Sequence, residues 1–453
     1  MSAYKSYPKY KPSGVEWLGD VPEAWEVTKL KFTAAITPSN IDKKSYEDEL
    51  PISLCNYTDV YYNETITRAI EFMAATATRD QIRKFSLRQH DVIITKDSED
   101  PNDIAVPSLV AETMDSVVCG YHLTLLRPLE NVDGRFLKRY FDSKTTRCYF
   151  ATRANGLTRY GLGSYPLSNA RIVLPPLAEQ LQIAAFLDRE CGKLDALQAK
   201  QERLIELLKE KRQALISHAV TRGLDAAAKL KPSGIEWLGD VPEHWQEGRI
   251  KTVSRFTTSG PRGWSERVGE TGALFVQSGD LNDRLEIEFA STRRVDVEGN
   301  AETSRTRLRD GDVVVCITGA KTGNVAVCDK IPEEAYINQH LCLIRPNRKV
   351  ASRFVGTVLK SHLGRSYFDV SQYGLKQGLS LEDILEAPMP IPPPAEQLAI
   401  VAHLDEKCGK IDQLKAKAER GIELLKERRS ALISAVVTGK IDARTSLKQT
   451  VAA

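Results

Sequence analysis

The chain has 453 residues, enough for two to four domains with a core in each. Its residues are 42% apolar, 27% charged and 7% aromatic with a net charge of only +3, which excludes a disordered polyelectrolyte but allows a local basic surface balanced by acids elsewhere. No apolar run approaches the ~18 residues of a membrane span, MSAYKSYPKYKPSG lacks the apolar centre of a secretory signal, and the eight cysteines form no C-x-x-C pair, so a cytoplasmic chain with free thiols and no membrane partner is expected.

In chain order, the first element is the opener KPSGVEWLGDVPEAW, Lys11–Trp25. It returns as KPSGIEWLGDVPEHW, Lys231–Trp245, with 13 of 15 residues identical. After the first opener come β-branched runs such as DVIIT and HLTLLRP, expected as strands, and then Asp133–Arg153, expected as one helix. Pro175-Pro176 halts the last strand and suits the start of a helix running to about Thr221. The second copy follows the same order. ALFVQ, DVVVCIT, NVAVCD and HLCLIRP read as strands and Ala351–Val370 as a helix, before Pro392-Pro393-Pro394 opens another long helix. Between Leu174–Asp225 and Ile391–Asp442, 33 of 52 positions are identical. The intervening stretches diverge, although FSLRQHDVIIT still aligns with TRLRDGDVVVCIT and CGYHLTLLRP with INQHLCLIRP.

The long helices carry an apolar seam. Leu187, Leu194, Leu208 and Leu215 fall on a seven-residue spacing with Gln201 in the open slot, and Leu197 and Leu204 add a second position. Leu404, Ile411, Leu425 and Leu432, with Ala418 between them, keep that register in the other copy, joined by Leu414. Two matched stripes on one chain satisfy each other, and a pseudo-twofold relation makes them antiparallel with one head at each end. The expectation is an α+β protein: two mostly-strand heads separated by two long antiparallel coiled-coil helices, as a pseudo-twofold internal repeat. Its segments are 1–173, a first head; 174–225, a spacer helix; 226–390, a second head; 391–442, a second spacer helix; and 443–453, a tail.

The doubled opener, the doubled P-P-x-A-E-Q at the helix starts, and the order variable–helix–variable–helix resemble the specificity subunits of type I DNA restriction–modification systems, over essentially the whole chain. That resemblance implies two target recognition domains, each reading half of a bipartite, gapped sequence in double-stranded DNA. It implies docking of two methyltransferase (modification) subunits that bind S-adenosylmethionine and methylate adenine N6, and of motor/endonuclease (restriction) subunits that use ATP and Mg. It also implies no catalytic centre, metal or cofactor on this chain. The residues agree: there is no Walker A lysine loop, no Asn/Asp-Pro-Pro-Tyr/Phe and no H-E-x-x-H.

Two heads reading different half-sites must differ at their base contacts, so the divergent polar loops are the candidates. In the first head these are Asn56 and Tyr57, Lys96 and Ser98, and Thr158, Arg159 and Tyr160. In the second they are Arg262 and Trp264, Gln277 and Ser278, Lys321 and Thr322, and Lys376 and Gln377. Asn56 and Gln277 are singled out because their amides match adenine. Each has a plainer reading: a solvated cation, a turn-closing amide, or, for Trp264, a loop-packing ring. His122 and His340 at matched strand positions read as structural, and Cys191 and Cys408 as small helix-packing residues. Trp17 and Trp237 read as anchors of the opener, with a docking face for a partner as the other reading. The rival to DNA recognition is a pseudo-symmetric protein–protein or RNA adaptor; an enzyme hidden in the heads offers no acid/base pair to nominate.

Overall fold

A computed structural model describes residues 4–372 and 378–444. The chain divides into two compact units, Met1–Glu202 with Arg420–Ala453, and Arg203–Glu419. Each unit holds one head, the start of one long helix and the end of the other. The long helices are Leu177–Arg222 and Pro394–Val437.

In the first unit the head has two sheets. A five-stranded sheet runs Ala34–Pro38, Leu123–Pro128, Val92–Thr95, Pro107–Val110, Thr65–Ile66, and a four-stranded one runs Met73–Ala77, Leu50–Cys55, Met114–Cys119, Ser86–Leu87. The run DVIIT has no polar face because its strand separates two cores. Val92 and Ile94 point into the core shared with the long helices, and Ile93 points into the head's own core. In the second unit Ser254–Ser259, Leu341–Pro346, Val313–Cys316 and Val325–Val327 form one sheet, and Val268–Gly269, Arg293–Val295, Ala273–Val276 and Ala335–Ile337 the other. Val313 and Val315 face the helix-side core, Val314 and Cys316 the inner one.

Both head sheets are pinned by the same buried ion pair. Arg127 binds Asp91 through Nε and Nη2 at 2.9 and 2.8 Å, and Arg345 binds Asp312 at 2.7 Å through both nitrogens.

The expected helix Asp133–Arg153 is two helices, Gly134–Asp142 and Lys144–Ala151. Ser143 has extended backbone (ψ 138°) and its hydroxyl donates to the Tyr140 carbonyl while accepting from the Thr146 N–H. Ser361 breaks the second copy at the matching place, between Ser352–Lys360 and His362–Ser371, where its hydroxyl donates back to the Val358 carbonyl but caps no N–H of the following helix. At Ser143 one hydroxyl satisfies both free helix ends, which lowers the cost of the break.

The doubled A-E-Q has a structural cause in each unit. Gln180 is fully buried; its Oε1 accepts from the Asp133 N–H at 2.9 Å and its Nε2 donates to the carbonyls of Asn131 and Pro175. Gln397 repeats this with the Ala351 N–H at 2.7 Å and the carbonyls of Lys349 and Pro392. The adjacent glutamates hold the chain just before the first opener and the end of the second. Glu179 accepts from the Tyr7 hydroxyl at 2.6 Å, and Glu396 accepts from Trp245 Nε1 at 3.1 Å and pairs with His244 Nε2 at 2.9 Å.

Each opener also meets a helix end. Trp245 lies against Gly223, and Trp25 against Gly439, which terminate the two long helices at φ +76° and +77°. A Cβ at either glycine would sit 3.1–3.2 Å from the indole, so the turn and the contact both ask for glycine. The other opener tryptophans pack on head helices: Trp17 on Tyr149 at 4.8 Å and Trp237 on Tyr367 at 6.2 Å between ring centroids.

The helix seam differs from the heptad expectation. Leu197, Leu204 and Leu414 are exposed, at 46, 41 and 50%. Leu187, Leu194, Leu208, Leu404, Ile411 and Leu432 are buried, and Leu215 and Leu425 partly buried. The most regular buried series is Ile183, Leu194, Ile205, Ile216, matched by Ile400, Ile411, Ile422, Ile433. Its step is eleven residues, close to the period of a straight helix. The seven-residue row also stays on the buried side, and only the second position, set three residues after that row, misses, because the buried partners Ile205 and Ile422 stand four residues after Gln201 and Ala418. In the first unit one core joins Ile183, Phe186 and Leu187 to Ile433, Val436 and Val437. In the second, one core joins Ile216, Ala219 and Val220 to Ile400, Leu404 and Cys408. Cys191 and Cys408 are buried members of these cores, and burial pushes both thiols up. No helix among the described residues is long and apolar enough to cross a membrane.

Candidate nucleic-acid interface

The first head gathers most of its nominated residues on three loops. Asn56 starts the helix Tyr57–Tyr62 directly after a strand, and its N–H donates to the Asp59 carboxylate at 2.7 Å. The Tyr57 hydroxyl reaches the Ser98 hydroxyl at 3.3 Å. Ser98 pairs with Tyr160, and Asp97 with Gly161, in a two-stranded ribbon that brings the third loop alongside. At the centre lies Asp97, which accepts from Arg159 Nε and Nη2 at 3.0 and 2.6 Å and pairs with His122 Nδ1 at 2.8 Å.

Two nominated cations are therefore committed within the protein. Arg159 is neutralised by Asp97. Lys96 donates to the Ser39 carbonyl and lies 4.3 Å from the centroid of the Tyr121 ring, and burial lowers its pKa. They order the loop floor rather than stand free in solvent. Asn56 and Tyr57 line a hollow of about 170 Å³ with Asp42, Lys43, Tyr121 and His122. Thr158 is exposed on the third loop.

Sequence reasoning missed Asp97 and Tyr121 here. It also missed an aromatic group: Tyr57 stacks on Tyr61 at 5.5 Å, and Tyr62 stands 77% exposed. Burial raises the Tyr57 and Tyr61 hydroxyls, the second helped by its hydrogen bond to Asp103. The run YTDVYY was the available signal, since aromatic faces at a turn beside polar loops suit stacking or sugar contacts.

The second head builds an equivalent turn. The Gln277 N–H donates to Asp280 at 2.8 Å, the counterpart of Asn56 and Asp59, and Ser278 follows in a short 3₁₀ turn. Burial raises the Asp280 carboxyl. Lys321 Nζ donates to the Gly279 carbonyl at 3.2 Å, tying the TGAKTGN loop to the Gln277 turn. Thr322 closes that loop on the Gly319 carbonyl at 2.6 Å. His340, at the position of His122, meets the Thr318 hydroxyl at 2.5 Å. Both histidines thus steady the loop after the central strand.

Trp264 does not present its ring. Gly263 is left-handed (φ +81°), and the indole turns inward, 4% exposed, against Phe275 and Tyr336. Its neighbour Arg262 is exposed and has no ion pair among the described residues. Lys376 and Gln377 lie outside the described residues.

The heads thus share one frame with different loops: an amide residue opening a turn, an acid three residues on, and a histidine-steadied segment beside it. Comparison with known proteins agrees. The type I restriction modification DNA specificity domain matches residues 22–207 and again 242–423. The specificity subunit of the EcoBI type I restriction enzyme of Escherichia coli is 24% identical over 332 residues, covering 70% of this chain and 68% of that protein. The EcoKI specificity subunit of E. coli K12 is 20% identical over 452 residues, covering 94% and 91%. A chain solved in work on complex assembly and conformational transition of the type I R-M system superposes with a TM-score of 0.70 at 17% identity, covering 92% of this chain and 98% of that one. With both copies of the repeat matched, the chain belongs to the type I restriction modification DNA specificity family, as a non-catalytic recognition subunit.

Proposed function

We propose that this chain reads a gapped, two-part DNA target with one head per half-site, and that the antiparallel long helices set the gap. The observation that carries the reading is the pairing of identical framework with unlike loops. The Arg127–Asp91 and Arg345–Asp312 pairs and the Gln180 and Gln397 staples repeat. The residues at the turn, Asn56-Tyr57 against Gln277-Ser278, do not. Asn and Gln amides pair bidentately with adenine, and exposed cations such as Lys321 and Arg262 suit phosphates. The antiparallel sense is supported by the cores in which the start of each long helix meets the end of the other.

In this reading the chain works in the cytoplasm and supplies sequence choice to two methyltransferase subunits, which hold S-adenosylmethionine, and to motor/endonuclease subunits using ATP and Mg. Exposed Leu197, Leu204 and Leu414 on the long helices support a docking face for those partners. Methylome sequencing of the host with and without this gene tests the function. A set of adenine sites with a fixed internal gap should lose methylation when the gene is removed. An unchanged pattern, with the partner genes intact, overturns the reading in favour of an adaptor.

A further inference from the structure

The two units differ in charge at one matched place, where the head helix meets the long helices. In the first unit this place is closed by its own ions. Arg429 binds Asp195 at 3.0 Å and also Glu64; Glu64 takes Lys138 and Arg139 at 3.1 and 3.2 Å, and Asp142 takes Lys138 at 2.6 Å. In the second unit Arg212 stands where Arg429 did, and Lys360 stands where Asp142 did. Arg284 follows the Gln277 turn, in the stretch where Glu64 follows the Asn56 turn. The place is an open hollow of about 550 Å³.

Its cations outnumber its acids. Lys209, Arg212, Arg284, Lys360, Arg365 and Lys415 line it, against Asp283, Asp412 and Glu419. The acids compensate in part: Glu206 pairs with Lys209 at 2.7 Å and Glu419 with Lys415 at 3.6 Å. Asp283 is 98% exposed and 3.5 Å from Lys360, and Asp412 lies 3.5 Å from Arg212 Nε. Arg284 and Arg365 have no carboxylate partner among the described residues. Lys360 is mostly buried, and its ammonium donates to the Asn282 carbonyl.

We infer that this hollow is an anion site that grips a phosphate, and that in the assembled complex the phosphate belongs to the DNA backbone beside the second half-site. Arg365, half-buried with no carboxylate partner among the described residues, and the part-buried Arg212 and Lys360, each no closer than 3.5 Å to its acid, carry a desolvation cost that a phosphate offsets through charge-assisted hydrogen bonds. Continuity with the reading loops favours DNA as its source. Arg284 follows the Gln277 turn, Asn324 ends the TGAKTGN loop, and Arg365 Nη1 lies 3.5 Å from the Thr322 carbonyl. The choice of DNA rests on the function proposed above; the anion site itself does not.

The test compares wild type, Arg284→Ala on its exposed loop, and Lys360→Asp with Arg284→Glu, which imports the first unit's charges. DNA binding is measured in the complex with its methyltransferase partners, across salt. The slope of log K against log salt should become shallower by about one for Arg284→Ala and by about two for the double variant, each lost phosphate contact being worth ~0.9. The ratio of specific to non-specific affinity should hold. Inorganic pyrophosphate titrated into the full-length chain by calorimetry is the second measurement; wild type should bind it and the double variant should not. Specific DNA binding with unchanged slopes overturns the DNA-phosphate assignment and leaves the DNA-reading function standing. Absence of specific DNA binding with variant-sensitive pyrophosphate binding overturns the function and supports the anion site, with a free polyphosphate as occupant. No response in either measurement overturns the site.

Discussion

Arg345 grips Asp312 with two hydrogen bonds of 2.7 Å, and the aspartate side chain is only 1% exposed. Strand Leu341–Pro346 is thereby fastened to the turn before strand Val313–Cys316. Removing the arginine strands a buried carboxylate, so Arg345→Ala should destabilise the second unit by about 3–5 kcal/mol. Urea unfolding followed by hydrogen exchange on Val313–Cys316 measures it. Asp312→Asn, which keeps one acceptor, should cost less.

The buried amides give a second expectation. Gln397→Ala removes partners from one N–H and two carbonyls, each costing about 1–3 kcal/mol when left buried and unpaired. The Ala351 amide should exchange far faster than in wild type, and Gln180→Ala should do the same to the Asp133 amide. Gln397→Glu keeps the acceptor for Ala351 but loses both donors, so it should protect that amide while still lowering stability.

Acid should loosen the first unit through Glu64. Burial alone raises its carboxyl, but Lys138, Arg429 and Arg139 outweigh burial and hold it at about 2, against an ordinary 4.5. A carboxylate with a depressed folded pKa contributes stability above its unfolded pKa and loses it as pH falls through the folded one. The loss therefore belongs between about pH 4.5 and 2. The side chain is half exposed, so solvent screens part of the effect. Glu64→Gln should lower stability at pH 7 and flatten its fall across that window, read from denaturation midpoints at each pH.

Spacer length sets the last expectation. Four residues inserted after Gln201 and four after Ala418 add one turn, ~5.4 Å, to both helices. If the helices fix the gap, methylome sequencing should find the unspecified stretch lengthened by one or two base pairs at ~3.4 Å each. A fixed gap with methylation retained sinks the spacer.

How much of this was legible in the sequence depended on what fixed each feature. Repetition exposed the long helices and the matched heads, because 33 identities in 52 positions need no geometry to notice. The clustering of Tyr57, Ser98, Arg159 and Tyr160 followed from placing them on loops after strands and helices. The charge state of those loops did not: Asp97 neutralises Arg159 across 62 residues of chain, and no local pattern announces such a pair. Gly263 turns Trp264 inward, a backbone event that its side chain does not signal. Ser143 and Ser361 break helices whose apolar spacing runs through undisturbed. Leu197, Leu204 and Leu414 failed as seam residues because they stand three residues after the seven-spaced row, whereas the buried second row stands four after it, at Ile205 and Ile422.

Within the heads, the staples touch main chain alone: Gln180 holds the N–H of Asp133 and the carbonyl of Asn131, Gln397 the N–H of Ala351 and the carbonyl of Lys349. The side chains at these positions are unlike, Asn against Lys and Asp against Ala, and the grip is the same. The frame is thus a universal socket, indifferent to the composition of what is plugged in. Genetic exchange between the repeated tracts could trade one recognition cassette for another, changing specificity in a single crossover without re-evolving the joint.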